Sequence, residues 1–190
     1  MPRTGDHYLP RLPREHYQGD AAVHWTLTTY DRAALPLDVA LHLRFRELLL
    51  HAQVREGLLC PAYCLMPDHL HLVWLGLRHD ADQLHGMAFL RTHLEPLLAP
   101  ARFQPQAHDH VLGDEERRRN AFARACAYIL LNPLRAGLVT RPEDWAYCGC
   151  VVPGYPKLHP NEASFWEKFW RLYLKQRTPD AGDLQRPAGS

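Results

Sequence analysis

Two apolar runs, Leu58 to Met66 and His69 to Leu75, meet across Pro67-Asp68. Proline presets the backbone angle of a tight turn and aspartate bonds its own main chain, so this dipeptide closes a hairpin between two strands. A hairpin in mid-chain commits the surrounding sequence to building a sheet. Along its second strand successive side chains alternate between faces, which puts His69 and His71 on one side and Leu70 and Leu72 on the other. Two neutral imidazoles held side by side are a ready metal site, because imidazole is the commonest protein metal ligand and a strand fixes both rings. The chain holds 13 His, so an isolated His-x-His is more often a pair of ordinary core or surface histidines than a metal site. The turn before the pair, which places it at the start of a strand, favours the site.

The remaining periodicities supply a frame for that hairpin. Val23 to Tyr30 alternates as a strand, with His24, Thr26, Thr28 and Tyr30 interleaved with Trp25, Leu27 and Thr29. Leu37 to Gly57 carries Leu41, Phe45, Leu48, Leu49 and Ala52 at helical spacing and ends in glycine. Ala81 to Leu98 reads as a second helix and His108 to Leu112 as a short strand. Asp114 to Asn132 reads as a helix, with Asp114 as N-cap, Glu115 and Glu116 in the first turn and Pro133 as the stop. The order strand, helix, strand, strand, helix, strand predicts an α+β fold of the ferredoxin-like split βαβ type: an antiparallel sheet with helices on one face, plus a C-terminal helical extension.

The last turn of the Asp114–Asn132 helix presents Tyr128 and Asn132, four residues apart and therefore on one face. By itself this is weak, since a tyrosine near a helix end is usually core and Asn before Pro is usually a cap or turn residue. Taken together, Met66-Pro67-Asp68-His69-Leu70-His71, Tyr128-Ile129 and Asn132-Pro133-Leu134-Arg135-Ala136-Gly137-Leu138-Val139 resemble the single-tyrosine HUH transposases, above all the REP-associated tyrosine transposases. The resemblance spans roughly Val23 to Trp145. It implies that His69, His71 and Asn132 hold a divalent metal, Mg²⁺ or Mn²⁺, and that Tyr128 is the nucleophile. It also implies a single-stranded DNA substrate flanked by a hairpin, cut and rejoined through a 5′-phosphotyrosyl intermediate. Asp68 stands where many relatives have Asn, and Arg91 is the nearest basic residue where the helix after the His strand often carries Lys. A phenol is protonated at neutral pH and needs a base; His108, Asp109 and His110 are candidates by proximity to the tyrosine helix.

Composition bounds the rest. With 46% hydrophobic and 23% charged residues in 190, the chain reads as a globular domain with decoration. Neither a membrane-span-length apolar run nor a signal-peptide core is present, so a cytoplasmic protein, monomer or homodimer, is expected. The five cysteines should be reduced thiols, with Cys60 and Cys64 as small buried hydrophobes. A net charge of +1 counts against nucleic-acid binding unless the charge is local. Arg3, Arg11 and Arg14 in the N-terminal arm, Arg91, and Arg117, Arg118 and Arg119 on the tyrosine helix are the candidate DNA contacts. The triple arginine serves equally as a solvated helix face paired with Glu115 and Glu116.

The expected organisation is an arm over residues 1–20, the transposase-like domain over 21–140, an extension with an aromatic helix over 141–177 and a disordered tail over 178–190. In the extension, Phe165, Trp166, Phe169, Trp170 and Tyr173 form a stripe at helical spacing within Asn161–Arg177. Docking on the core is preferred to base stacking backed by Lys168, Arg171, Lys175 and Arg177. Two other functions fit the same residues. One is a non-catalytic hairpin-binding protein, and the other is a metal hydrolase with water as nucleophile.

Overall fold

The computed structural model describes residues 10–113 and 120–177. Arg3, Arg117, Arg118 and Arg119, the cap at Asp114 with Glu115 and Glu116, and the tail lie outside the described residues. In chain order the described elements are β1 (Ala22–Thr28), α1 (Val39–Glu56), β2 (Leu58–Leu65), β3 (His69–Gly76), α2 (Gln83–Leu94), β4 (His108–Val111), α3 (Ala121–Leu130), α4 (Asn132–Arg135), β5 (Cys148–Val151) and α5 (Phe165–Gln176). The five strands form one sheet in the order β4-β1-β3-β2-β5, antiparallel at every pairing. The first four strands, with α1 and α2 as crossovers, make the split βαβ arrangement expected from the sequence.

Local chemistry sets the ends of the crossover helices. Asp38 caps α1 by accepting from the Leu41 amide at 2.7 Å, and Gly57 closes it in left-handed backbone at φ 65°. Asp82 caps α2 by accepting from the His85 amide at 3.0 Å. Both helices lie on one sheet face, where Phe45, Leu48, Leu49, Met87, Leu90 and Leu94 bury Trp25, Leu27, Leu70, Leu72 and Trp74. The opposite face carries α3 and α5 over its β3, β2 and β5 portion, packing Phe122, Cys126, Ile129, Phe165 and Phe169 against Ala62, Cys64, Val73, Leu75 and Cys150. The one-face arrangement therefore holds for the two crossover helices. Because β2 and β3 are covered on both faces, they read as continuous apolar runs rather than alternating ones.

Several expectations are corrected. β5 adds a strand to the extension, where the sequence predicts only a helix; four residues, Cys148-Gly149-Cys150-Val151, are too short to show an alternation that distinguishes them from a turn. The continuous helix from Asp114 to Asn132 is broken, because Asn120 adopts left-handed backbone at φ 59° and the helix begins at Ala121. Pro133 does not stop it. A second helical turn, α4, runs on to Arg135, with proline in its first turn where no amide is required. Cys60 and Cys64 are both buried, as expected of small hydrophobes, and they lie on opposite faces because the register shifts between Leu59 and Ala62 around Pro61. The aromatic helix is shorter than Asn161–Arg177, spanning α5 alone, and its stripe docks on the second core, Phe122 meeting Trp166 at 6.0 Å and Trp170 at 5.4 Å.

At the end of β3 the chain passes so close to the arm that a Cβ on Gly76 would overlap the Gly19 carbonyl oxygen. That neighbour is backbone and cannot rotate away. Gly76→Ala should therefore destabilise the fold by about 3 kcal/mol, the upper end of overpacking costs, in urea unfolding followed by circular dichroism. A midpoint within error of wild type would contradict this close approach.

Candidate active site

On the second sheet face the pleat and the strand registers gather a group of histidines. Thr26 of β1 lies directly opposite His71 of β3, Thr28 opposite His69, and Cys64 of β2 is the partner of His71 on the other side. Cross-strand partners share a face, so His24, Thr26, His69 and His71 project together, as do His108 and His110 of β4 through their pairing with Thr26 and His24. The His69 and His71 rings stand edge to face at 4.8 Å.

The helical element supplies the phenol. Phe122, Cys126 and Ile129 bury one side of α3 against the sheet, which turns Tyr128 towards its open margin, where it remains 42% exposed. The Tyr128 ring lies 6.3 Å from that of His71 and 6.3 Å from that of His24. The Arg135 guanidinium covers the Tyr128 ring at 4.4 Å, seven residues and two turns further along the same side. Asn132, between them at the start of α4, has its carboxamide Nδ2 buried without a hydrogen-bond partner among the described residues. The structure thus brings together His69, His71 and Tyr128 and places Asn132 one turn beyond the tyrosine.

The hydrogen bonds of the two histidines are arranged alike. His69 Nδ1 lies 2.5 Å from Asp68 Oδ1. His71 Nδ1 lies 2.9 Å from Thr26 Oγ1 and 3.2 Å from His24 Nε2. Each ring engages protein through Nδ1, which leaves Nε2 for a ligand. Burial, with His24 and His69 alongside, lowers the His71 pKa to about 3, and burial with His110 alongside lowers that of His24 to about 4. Both are neutral at pH 7, the form that ligates a metal. Burial raises the Asp68 pKa, but hydrogen bonds from His69 and Arg32 outweigh it and the net shift is downward. Among the described residues no three His, Cys, Asp or Glu side chains converge as a metal-ligand set. A further protein ligand to the His pair would therefore be a side chain of another type, such as the carboxamide Oδ1 of Asn132; the buried, unpartnered Nδ2 of that residue is a donor and does not itself bind a cation.

The other predicted contacts lie elsewhere. Arg11 bonds Asp109 at 3.1 Å and the Ala107 carbonyl at 3.2 Å, and covers the Trp25 ring at 5.6 Å. Arg14 bonds Asp82 at 2.7 Å. Arg91 donates to the Gln104 carbonyl at 2.6 Å over the Phe103 ring. These three sit on the α1 and α2 side of the sheet, away from Tyr128. Asp109 also faces that side, accepting from Tyr17 Oη, so of the three candidate bases only His108 and His110 share a face with the tyrosine. Sequence reasoning missed His24, Thr26, Asp68 and Arg135 as members of the site. Alternation puts His24 and Thr26 on one face, but their neighbours depend on the register of β1 on β3.

No family profile and no curated protein matches the chain. Among solved structures it is similar to that of a REP-associated tyrosine transposase bound to a REP hairpin, with a TM-score of 0.59 and 18% sequence identity over 96% of this chain and 98% of that one. At that identity the likeness is one of fold, and it extends over nearly the whole of both chains.

Because the folded pKa values of His24 and His71 lie below the ~6.5 of an unfolded histidine, the unfolded chain takes up more protons on acidification. Their contribution to stability is complete above about pH 6.5 and is lost as the pH falls towards 4. Urea unfolding from pH 7 to 4 should show a loss of roughly 3 kcal/mol from His24 alone, and His24→Gln should flatten the slope in that window. An unchanged slope in this variant would contradict the burial of a neutral His24.

Proposed function

We propose that the chain is a metal-dependent enzyme that nicks and rejoins single-stranded DNA next to a hairpin, with Tyr128 as nucleophile. The observation that carries this reading is the approach of Tyr128 to within 6.3 Å of His71, across elements 57 residues apart in sequence (128 − 71). A core tyrosine would have its hydroxyl buried. This one is 42% exposed, beneath an arginine and beside the rings of His24 and His71, the second of which keeps Nε2 available. The fold shared with a REP-associated tyrosine transposase bound to a REP hairpin supports the same reading and suggests hairpin DNA as the partner.

His69, His71 and Asn132 would hold Mg²⁺ or Mn²⁺, ions that accept imidazole nitrogen and amide oxygen together. The ion supplies charge neutralisation on the scissile phosphate and orients it for in-line attack. Tyr128 Oη then forms a bond to phosphorus as the P–O3′ bond breaks, leaving a 5′-phosphotyrosyl end and a 3′-hydroxyl that takes up a proton. The ester energy is kept in the phosphotyrosine, so the strand can be rejoined by reversal without a nucleotide cofactor. His24, whose ring lies 6.3 Å from that of Tyr128 as the His71 ring does, is a neutral group beside the phenol that the metal reading leaves unligated, and so a candidate acceptor of its proton. Arg135 above the phenol is placed to meet the anionic phosphate as it arrives.

The test is a denaturing gel that detects protein covalently joined to a hairpin-flanked single strand in Mn²⁺. Wild type should give the adduct, Tyr128→Phe should give none, and His71→Ala should reduce it by at least about 10²-fold while circular dichroism stays native. Cleavage that proceeds without an adduct would assign the nucleophile to water. Hairpin binding with neither cleavage nor adduct would make the chain a binding protein of the same fold.

A further inference from the structure

We propose that Asp68 is the positioning residue of this centre: its carboxylate keeps the His69 proton on Nδ1 and so aims the Nε2 lone pair at the ion. The inference rests on the metal reading of His69 and His71 given above. An ionised carboxylate can only accept, so with Oδ1 at 2.5 Å from His69 Nδ1 the ring nitrogen must carry the hydrogen. The lone pair then sits on Nε2, and the ring cannot turn without breaking a charge-assisted bond.

Asp68 is itself braced from the β1–α1 connection. Arg32 bonds its Oδ2 at 3.2 Å. The Asp68 carbonyl accepts from the Thr29 amide at 3.0 Å and from the Thr29 hydroxyl at 2.9 Å, and the neighbouring Pro67 carbonyl accepts from Leu35 at 2.6 Å. To make these contacts the connection passes through left-handed backbone at Asp31 (φ 50°) and Arg32 (φ 54°), neither of them glycine. Such backbone persists where surrounding contacts over-determine it, and here those contacts converge on the turn that carries Asp68. His71 has neutral partners instead, Thr26 and His24. The two ligand histidines are therefore anchored by different chemistry, an anion behind His69 and uncharged groups behind His71. A carboxylate behind a ligand imidazole strengthens its electron donation as well as its aim, and loss of such a partner lowers metal affinity by about 10–100-fold.

The full chain, labelled with ¹⁵N, reports the histidine tautomers in long-range ¹H–¹⁵N spectra without metal, and its Mn²⁺ affinity is read by calorimetry and by electron paramagnetic resonance. In wild type His69 should carry its proton on Nδ1. Asp68→Ala should give a mixture of tautomers at His69 and a loss of about 10–100-fold in Mn²⁺ affinity. Asp68→Asn retains an acceptor oxygen, so it should hold the tautomer and lose affinity by a smaller factor; it also serves if the alanine variant does not fold. A wild-type His69 protonated on Nε2, or Mn²⁺ affinity within twofold of wild type in whichever variants fold, would overturn the role of Asp68 while leaving the metal reading intact. Absence of Mn²⁺ binding by wild type would overturn both, and is distinguishable because the tautomers are read without metal.

Discussion

Strand β3 is covered on both faces, and its pleat has to serve two cores at once. Leu70, Leu72 and Trp74 enter the layer beneath α1 and α2, while Val73 and Leu75 enter the layer beneath α3 and α5. His71 falls in the second set, 8% exposed. A polar ring in that position has to be satisfied by its neighbours, and the register of β1 on β3 satisfies it, by bringing Thr26 and His24 to its Nδ1. The same register brings Thr28 opposite His69 and Thr26 opposite His71, on the face that carries α3 and Tyr128. A slip of one residue would invert every side chain of β1 and remove the partners of both cores.

The near neutrality of the chain has a structural counterpart. Two of the arginines in the arm are engaged with internal carboxylates, Arg11 with Asp109 and Arg14 with Asp82, and fasten the arm to the α2 side of the sheet. Cations on the C-terminal helix are likewise matched, Lys168 with Glu162 and Arg171 with Glu167. Exposed pairs of this kind contribute little stability, but they lower the local positive potential. Arg135 instead lies with its guanidinium over the Tyr128 ring. No described helix is long and apolar enough to cross a membrane.

Much of the fold and part of the site were legible in the sequence, because they rest on short-range rules. Proline and aspartate between two apolar runs mark the hairpin at Pro67-Asp68, strand alternation pairs His69 with His71, and helical spacing joins Tyr128 to Asn132. The order of strands and helices suffices for the arrangement of the first four strands, since right-handed crossovers and short connections leave few alternatives. What failed did so for want of local signal. A four-residue strand such as β5 has no measurable period, a left-handed Asn120 leaves no trace in a helical pattern, and the shift around Pro61 reverses the faces of β2 without altering its composition.

Tertiary structure alone decided which side of the sheet each group occupies relative to another element. Asp109 lies between two histidines in sequence, yet one pleat sends it to Arg11 and Tyr17 while His108 and His110 turn to the opposite face. Asp68 reads as a turn residue and becomes the partner of His69 because Arg32 and Thr29 arrive from a separate connection. The sequence by itself determined the pairs whose spacing is set within one strand or one helix, where backbone geometry propagates over a few residues. The meeting of Tyr128 with His71 required the packing of α3 on the sheet, and the burial of Phe122, Cys126 and Ile129 that drives it is a property of the whole fold.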